Sequence, residues 1–243
     1  KGQQQQVEHR RGVHRGLIAE PEQLRVGLFE NNDLQWGYYG SDLYGISATT
    51  MNTGTKFINN RISDAYYYGL LSYYQGGIEI IGNTITSTNT TMYYGMYLYY
   101  NQNAIRVLNN KLTATAASGT LYGIYIYYCT ATSGSEGRIA NNFVHANRGS
   151  STVYGMYVYY SNYQNVDFNT VNLTNTYSLS APLYSYYGSN QRYQNNIFTN
   201  NGGGLAANYA YTTPYRGINY NVYYSSGATL AQWNGVNQVG RSR

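Results

Sequence analysis

Apolar and polar residues alternate with a period of two along most of the chain. The alternation is clear in Ile78-Glu79-Ile80, in Ile105-Arg106-Val107 and across residues 123–127. Such alternation predicts β-strands, because successive side chains of a strand point to opposite faces of the sheet. No stretch keeps the i, i+3, i+4, i+7 spacing of an amphipathic helix, and Asn, Gly, Thr and Ser interrupt the apolar runs every few residues. The pattern therefore predicts an all-β protein built from short strands.

These strands belong to a repeated unit, marked by Asn, any residue, and then an aliphatic residue or Phe. Successive marker Asn residues are separated by 23, 27, 32, 27 and 27 residues. A period of this length that drifts by a few residues indicates a solenoid, in which each rung keeps its core and varies its loops. An inward Asn at a turn can bond the backbone of its own and adjacent rungs through its amide. We therefore predict a structural ladder of Asn60, Asn83, Asn110, Asn142, Asn169 and Asn196.

Two repeat architectures fit this unit. Residues 105–112 also match the core of a leucine-rich repeat. In that architecture the rest of each repeat forms a helix or a short helical turn. Here the rest of the rung is a second strand rich in Tyr and β-branched residues. This favours a parallel β-helix of about six to seven rungs over the leucine-rich horseshoe.

The composition divides the chain into three parts. Residues 36–225 carry the repeats and are predicted to form the β-helix. Residues 1–35 differ in composition and are interpreted as an N-terminal cap or tail, and residues 226–243 as a C-terminal cap or tail in which Trp233 closes the core. A solenoid needs such caps because its open ends expose unpaired strand edges.

A tyrosine motif returns in three consecutive repeats. Tyr-Gly-x-Tyr-x-Tyr-Tyr begins at Tyr94, Tyr122 and Tyr154, with Met, Leu, Ile or Val at the two variable positions. Alternation places the aliphatic residues on one face of the strand and tyrosines on the other. Two ladders of phenol rings are therefore predicted on the outer face, and they are the candidate binding residues: Tyr97, Tyr125 and Tyr157 in one, and Tyr99, Tyr127 and Tyr159 in the other.

Three interpretations of the tyrosine ladders remain open. Tyrosine offers a large rigid contact area with a polar tip, so the ladders could form a platform for sugar rings or for a neighbouring protein rod. They could instead only stabilise the sheet, since cross-strand aromatic pairs contribute roughly 0.2 to 1 kcal/mol each. A loop from one of the longer rungs could also cover them.

The repeats resemble a known family. Residues 36–225 are similar to right-handed parallel β-helix repeat proteins of the pectate-lyase-like superfamily. The repeats at residues 165–173, 194–198 and 219–224 look more narrowly like repeat regions of large secreted and surface proteins of Bacteroidetes-type bacteria, which are often exported by type IX secretion. The resemblance implies a right-handed coil and an extracellular or cell-surface location. It leaves the activity open, because this fold serves lyases, hydrolases, adhesins and inert stalks.

Charge and cysteine content narrow the set of partners. About 10% of the residues are charged, and between Trp36 and Gly240 there are eight Lys or Arg against five Asp or Glu. The tyrosine strands lack the interleaved cations of nucleic-acid-binding surfaces, so nucleic acid is not an expected partner. No apolar segment is long enough for membrane insertion. The single cysteine, Cys129, permits no internal disulfide, and no metal-ligand spacing or cofactor motif is present.

Candidate catalytic groups are sparse in the repeats. The five acids are Asp42, Asp64, Glu79, Glu136 and Asp167, and no pair of them recurs in register. A glycoside hydrolase needs grouped carboxylates, and a lyase needs calcium ligands with a basic residue. Arg61 and Lys111 occupy equivalent positions but are separated by the rung of Thr84.

We therefore predict no catalytic residues and no cofactor. The leading hypothesis is a non-catalytic, extracellular structural or adhesive module of a surface protein or filament. Its tyrosine ladders would contact polysaccharide or neighbouring rods, including copies of itself. The alternatives are a polysaccharide lyase or glycoside hydrolase and, with less support, an ice-surface binder.

Overall fold

The chain coils into a right-handed parallel β-helix. The computed structural model describes residues 27–211 and 215–239, together with the backbone of Leu17–Ile18. Within these residues every regular element is a β-strand, and three long parallel sheets run along the rod. The predicted fold class is confirmed. The predicted number of rungs was too low, because the second and third sheets each contain 8 strands, one for each rung.

Each rung contributes one strand to each of the three sheets. The first sheet contains Leu17–Ile18, Tyr39–Tyr44, Tyr68–Tyr73, Tyr94–Tyr99, Leu121–Tyr127, Val153–Tyr159, Ala181–Tyr186, Ala207–Tyr209, Ala231–Trp233 and the antiparallel Val236–Gln238. The second contains Leu28–Glu30, Lys56–Ile58, Glu79–Ile81, Arg106–Leu108, Gly137–Ala140, Gln164–Asp167, Arg192–Gln194 and Gly217–Asn219. The third contains Asp33–Gln35, Arg61–Ser63, Thr84–Ser87, Lys111–Thr115, Phe143–Asn147, Thr170–Leu173, Ile197–Asn200 and Val222–Ser225. A short pair, Asn52–Thr53 with Gln75–Gly76, lies at the turn from the first sheet to the second.

The β-helix extends beyond the predicted range of residues 36–225 at both ends. Residues 28–35 form the first two strands of the first rung and pair with the second rung, although the sequence analysis assigned them to the N-terminal segment. At the other end, Ala231–Trp233 continues the first sheet before the chain reverses. The interpretation of the rest of the N-terminal segment as a cap or tail lies outside the described residues, apart from the backbone of Leu17–Ile18, which pairs with Ser41 and Asp42.

The predicted asparagine ladder is confirmed and is longer than expected. Asn142 shows the repeating pattern: its backbone N and its Nδ2 both donate to Oδ1 of Asn169, at 3.0 and 2.9 Å. Its Nδ2 also donates to the carbonyl oxygen of Val107, at 2.9 Å. The same pattern runs through all six predicted residues and continues to Asn32 and Asn221. The ladder satisfies buried polar groups at the corner between the second and third sheets, where each turn would otherwise leave them unpaired.

A second column of small residues explains the Tyr-Gly pair of the repeat. Gly40, Gly69, Gly95, Gly123 and Gly155 stack where the chain enters the first sheet. A Cβ atom on Gly95 would lie 2.5 Å from the carbonyl oxygen of Gly123 and 2.7 Å from a methyl group of Leu112. Successive rungs and the core side chains of the third sheet therefore meet too closely at this corner for any side chain.

The core is continuous along the rod and is closed at its C-terminal end by aromatic residues. Its members come from the inward faces of all three sheets and include Leu70, Ile80 and Val144. At the last rung Trp233 packs 5.4 Å from Tyr209 and 5.6 Å from Tyr215, measured between ring centroids. The ring of Trp233 therefore packs on the aromatic end of the core, and the cap role of residues 226–243 stays a prediction. Among the described residues there is no helix that could span a membrane.

Candidate functional site

The outer face of the first sheet is covered by tyrosine rings in five ladders, which together we call the tyrosine surface. Ladder 1 is Tyr38, Tyr67 and Tyr93; ladder 2 is Tyr39, Tyr68, Tyr94, Tyr122 and Tyr154; ladder 3 is Tyr97, Tyr125, Tyr157 and Tyr184. Ladder 4 is Tyr44, Tyr73, Tyr99, Tyr127, Tyr159 and Tyr186; ladder 5 is Tyr74, Tyr100, Tyr128, Tyr160, Tyr187 and Tyr211. Ladders 3 and 4 contain all six predicted binding residues. The other three ladders were not predicted.

The rings of a ladder stack on one another along the rod. In ladder 4 the ring centroids of Tyr99 and Tyr127 lie 5.2 Å apart with the planes 9° from parallel. Tyr127 and Tyr159 are 4.9 Å apart and 2° from parallel. The strand register imposes this arrangement, because Tyr99, Tyr127 and Tyr159 are directly paired across neighbouring parallel strands. Tyr127 therefore has a ring of an adjacent rung against each of its two faces.

Two rings of ladder 3 are buried although they lie on the outside of the sheet, and Tyr157 and Tyr184 are half-buried. Tyr97 and Tyr125 are only 9% and 8% exposed. They form a small apolar cluster with Leu71, and the rings of ladders 2 and 4 pack against both sides of it. Burial, together with the neighbouring phenols, raises the pKa of both hydroxyl groups far above the usual range. Neighbouring tyrosines cover these rings, so the covering loop considered from the sequence is not needed to explain their burial.

This packing decides which chemistry the tyrosine surface can offer. A sugar ring that stacks on an aromatic side chain needs one free ring face. The faces of the interior rings are occupied by other tyrosines, so the surface presents ring edges and phenol hydroxyl groups. Burial raises the pKa of Tyr73 and Tyr154 to about 12, so these hydroxyls are neutral near pH 7. The result is a rigid, uncharged and periodic surface rather than a row of open aromatic platforms.

Ladder 5 is held in an unfavourable backbone conformation. Tyr100, Tyr128 and Tyr160 follow the strands of the first sheet and have φ values of 50°, 51° and 46°, as do Tyr74 and Tyr187 at 51° and 53°. A left-handed conformation is uncommon for bulky residues and costs roughly 1 to 2 kcal/mol for each residue. At the corner between the second and third sheets the same conformation is adopted mostly by Asn or Gly. Ladder 5 therefore keeps tyrosine in five consecutive rungs where a smaller residue would suit the backbone better.

The strands of the first sheet carry a single charged residue among the described positions. Asp42 lies on the outer face, in register with Leu71 and Tyr97, at the N-terminal end of ladder 3. Burial raises the pKa of its carboxyl group to about 6. From the second rung onwards no Lys, Arg, Asp or Glu interrupts these strands.

The other acids considered as catalytic candidates are each engaged by neighbouring groups. Glu79 on the second sheet lies between Lys56 and Arg106, at 3.6 and 3.2 Å. Asp64 accepts a hydrogen bond from the backbone N of Thr88 at 2.8 Å. The remaining two acids form ion pairs: Asp167 with Arg192, and Glu136 with Arg216. Within the described ranges no group of three or more His, Cys, Asp or Glu side chains could hold a metal ion.

The basic residues and the cysteine considered as candidates also lie in surroundings that do not suit catalysis. Arg61 and Lys111 are separated by Thr84 on the intervening strand, as the spacing predicted. Cys129 is fully buried at the turn from the first sheet to the second, where its backbone N donates to Oγ of Ser161 at 3.0 Å. Burial raises the pKa of its thiol to about 12, so this group is held in its unreactive form.

Comparison with known proteins agrees with the fold. A family model described as a right handed beta helix region matches residues 19–132. Searches of curated proteins and of solved structures gave no significant match. Together with the three parallel sheets and the asparagine ladder, this match supports a β-helix repeat fold.

Proposed function

We propose that this β-helix is a non-catalytic structural and adhesive module of an extracellular or cell-surface protein, and that its tyrosine surface packs laterally against another β-helical rod. The simplest such rod is a second copy of this chain. Support comes from the chemistry of the surface, whose strands carry no charged residue beyond the first rung and whose tyrosines recur at the spacing of the rungs.

The single observation that carries the proposal is the left-handed backbone of ladder 5. Stacking within the ladder offsets part of the cost, because an aromatic pair contributes roughly 0.5 to 1.5 kcal/mol beyond its buried area. Tyr128 stacks on Tyr100 and on Tyr160, with ring centroids 5.0 Å apart in each case. Asn in these positions would remove the strain without losing the turn, as it does at the opposite corner. Strain kept in consecutive rungs favours a role for the exposed edge of these rings.

A second rod fits this surface better than a sugar chain does. Two β-helices share the same rung spacing of about 4.8 Å, so their phenol groups can interdigitate over the rungs that carry them. A specific contact of this kind would bury roughly 1,000 Å² or more in total. Tyrosine is also enriched in such interfaces, since it combines an apolar body with a polar tip. A sugar chain would find few free ring faces on the interior rungs.

The extracellular location and the bacterial source rest on the resemblance of the repeats. Those at residues 165–173 and 194–198 resemble repeat regions of secreted and surface proteins of Bacteroidetes-type bacteria, and the whole resembles the pectate-lyase-like superfamily. A rigid, weakly charged rod whose surface is rich in Asn, Thr and Tyr suits a stalk or filament outside the cell. The enzymatic alternative gains no support from the four acids outside the first sheet, whose partners are cations and backbone groups.

The proposal is tested by removing the rings of ladder 5 while preserving its turns. The variant Tyr100→Asn/Tyr128→Asn/Tyr160→Asn replaces three strained tyrosines by a residue that tolerates the left-handed region. The matched control is Phe168→Asn/Tyr220→Asn. It removes two aromatic residues that are 56% and 82% exposed, from left-handed turns at the opposite corner.

Sedimentation velocity over a range of concentrations gives the readout. We expect the unaltered chain and the control to associate and the triple variant to remain monomeric. A monomeric unaltered chain at all concentrations, or undiminished association of the triple variant, would contradict lateral self-contact. Affinity electrophoresis through neutral polysaccharides distinguishes the other functions: retardation that depends on ladder 5 would indicate glycan adhesion, and clearing of the polymer would indicate an enzyme.

A further inference from the structure

The N-terminal end of the tyrosine surface differs from the rest. Ladders 2 and 4 extend to the first rung, where they end in Tyr39 and Tyr44. Ladder 3, which lies between them, begins only at the third rung. Its place is taken by Leu71 in the second rung and by Asp42 in the first. A carboxylate therefore lies in a notch with a phenol ring on either side.

One oxygen of the carboxylate in this notch has neither a hydrogen-bond donor nor a cation beside it among the described residues. Oδ1 of Asp42 is shielded from solvent and has no hydrogen-bond partner among the described residues. The backbone around it is already paired, with Leu17–Ile18 on one side and the second rung on the other. Unpaired carboxylates are costly to bury, so the group requires either a proton or a cation.

Among the described residues, the two phenol rings beside Asp42 stack on other rings on one side only. Tyr44 stacks on Tyr73 of the next rung at 4.8 Å, and within the described residues no ring covers its opposite face. Tyr44 is 41% exposed. Tyr39 stacks on Tyr68 at 5.2 Å in the same way, with Tyr38 against its edge. Aromatic faces next to a poorly solvated carboxylate form the usual environment for an organic cation. The ring faces and the carboxylate both attract the positive charge, and the rings are desolvated at little cost when the cation binds.

We propose that Asp42, Tyr39 and Tyr44 form a binding site for an alkylammonium cation, such as the side chain of a lysine. The carboxylate of Asp42 pairs with the ammonium group, and the rings pack against the alkyl chain. The site is separate from ladder 5, and it does not depend on the lateral contact proposed above. It assigns a function to the one charged residue that the described strands of the first sheet carry.

The site predicts a defined pH dependence. Burial raises the pKa of Asp42 to about 6, so the carboxyl group is largely protonated at pH 4 and ionised at pH 8. The described side chains that face it are Tyr39, Tyr44 and Leu71. Burial, with a further contribution from the charge of Asp42, raises the pKa of both phenols, so neither ionises in this interval. Cation binding is therefore expected at pH 8 and lost at pH 4.

The test uses n-butylammonium chloride as the probe and the full chain as the receptor. Ring currents of Tyr39 and Tyr44 should shift the proton NMR signals of the butyl group upfield in a saturable way at pH 8. The variant Asp42→Asn should weaken binding roughly tenfold or more, since a charge-assisted contact is stronger than a neutral one. Tyr44→Leu should weaken binding by a similar factor, since it removes an aromatic face beside the cation. Asp64→Asn is the matched control: it removes a half-buried carboxylate from a turn outside the first sheet and should leave binding unchanged.

Each outcome decides the question. A saturable shift that disappears in Asp42→Asn and at pH 4 supports the site. An equal shift in Asp42→Asn would show that the cation binds tyrosine rings elsewhere and would overturn the proposal. The absence of any saturable shift with the unaltered chain at pH 8 would overturn it as well. Far-UV circular dichroism of each variant shows that a lost shift does not reflect a lost fold.

Discussion

Replacing Asn142 by Ala should destabilise the β-helix strongly, because Asn142 occupies the middle of the asparagine ladder and is 1% exposed. Its Oδ1 accepts hydrogen bonds from the backbone N and the Nδ2 of Asn110, both at 3.0 Å. Its Nδ2 donates to the carbonyl oxygen of Val107. Asn142→Ala would leave the backbone N of Asn110 without its acceptor, which costs about 1 to 3 kcal/mol. It would also remove one hydrogen bond each from Nδ2 of Asn110, the carbonyl oxygen of Val107 and Oδ1 of Asn169, at about 0.5 to 1.5 kcal/mol each. We therefore expect the free energy of unfolding to fall by about 3 to 7 kcal/mol.

Denaturant unfolding followed by circular dichroism and by tyrosine fluorescence measures this loss. The control is Asn172→Ala, since Asn172 lies half-buried on the outer face of the third sheet, where water can replace its bonds to Thr199 and Asn201. The control should lose less than about 1 kcal/mol. Asn142→Asp should be at least as damaging as Asn142→Ala at neutral pH, since it keeps the acceptor and turns a second oxygen toward Val107. A loss below about 1 kcal/mol for Asn142→Ala would refute the reasoning, because ladder hydrogen bonds would then contribute little more than exposed ones.

Three further predictions concern the corner glycines, Asp42 and the buried phenols. Gly123→Ala should lower the free energy of unfolding, measured by thermal unfolding, by about 1 to 3 kcal/mol or more, since its Cβ would overlap the carbonyl oxygen of Gly155. The control Gly217→Ala, whose Cβ meets nothing closer than 3.4 Å, should leave the free energy of unfolding nearly unchanged. The raised pKa of Asp42 means that folding favours its neutral form, so its contribution to stability is present below about pH 4 and lost as the pH rises through about 6. Asp42→Asn should therefore raise the free energy of unfolding by about 1 kcal/mol at pH 8, allowing for solvent screening. At pH 4 the same variant should leave the free energy of unfolding unchanged. Folding favours the neutral form of the buried phenols of Tyr97 and Tyr125 in the same way, so stability should fall as the pH rises above 10. Absorbance titration should show phenols that ionise only when the protein unfolds. Complete and reversible ionisation of a folded chain would contradict their burial.

The repeat made most of the fold predictable. Strand alternation and the spacing of the marker Asn residues gave the architecture, the ladder and the register of the tyrosines. The first and last rungs were missed for separate reasons. Asn32-Asp33-Leu34 fits the marker pattern but lies in a segment of unusual composition, and Asn221 is followed by Tyr223 where the pattern requires an aliphatic residue or Phe. Both Asn residues nevertheless take part in the ladder.

The tyrosine surface was only partly predictable. Alternation within a strand identified ladders 3 and 4, but it does not apply to Tyr128, which follows the strand in a left-handed turn. The repeated Tyr-Tyr pair at the end of each motif was the signal for ladder 5. The burial of Tyr97 could not be predicted, because it depends on how closely rings of adjacent ladders pack. Tyr94 and Tyr97, for example, lie 4.7 Å apart and 11° from parallel.

Site-resolved tyrosine nitration at low and high protein concentration tests the central claim most directly. The claim is that the outer edge of the tyrosine surface is covered by another rod. We predict that Tyr100, Tyr128 and Tyr160 react in dilute solution and become protected as the concentration rises, while the 82% exposed Tyr220 reacts equally under both conditions. Equal modification of the three ladder 5 tyrosines at all concentrations, with Tyr220 as the internal standard, would contradict the account and leave the rings as stabilisers of the sheet alone.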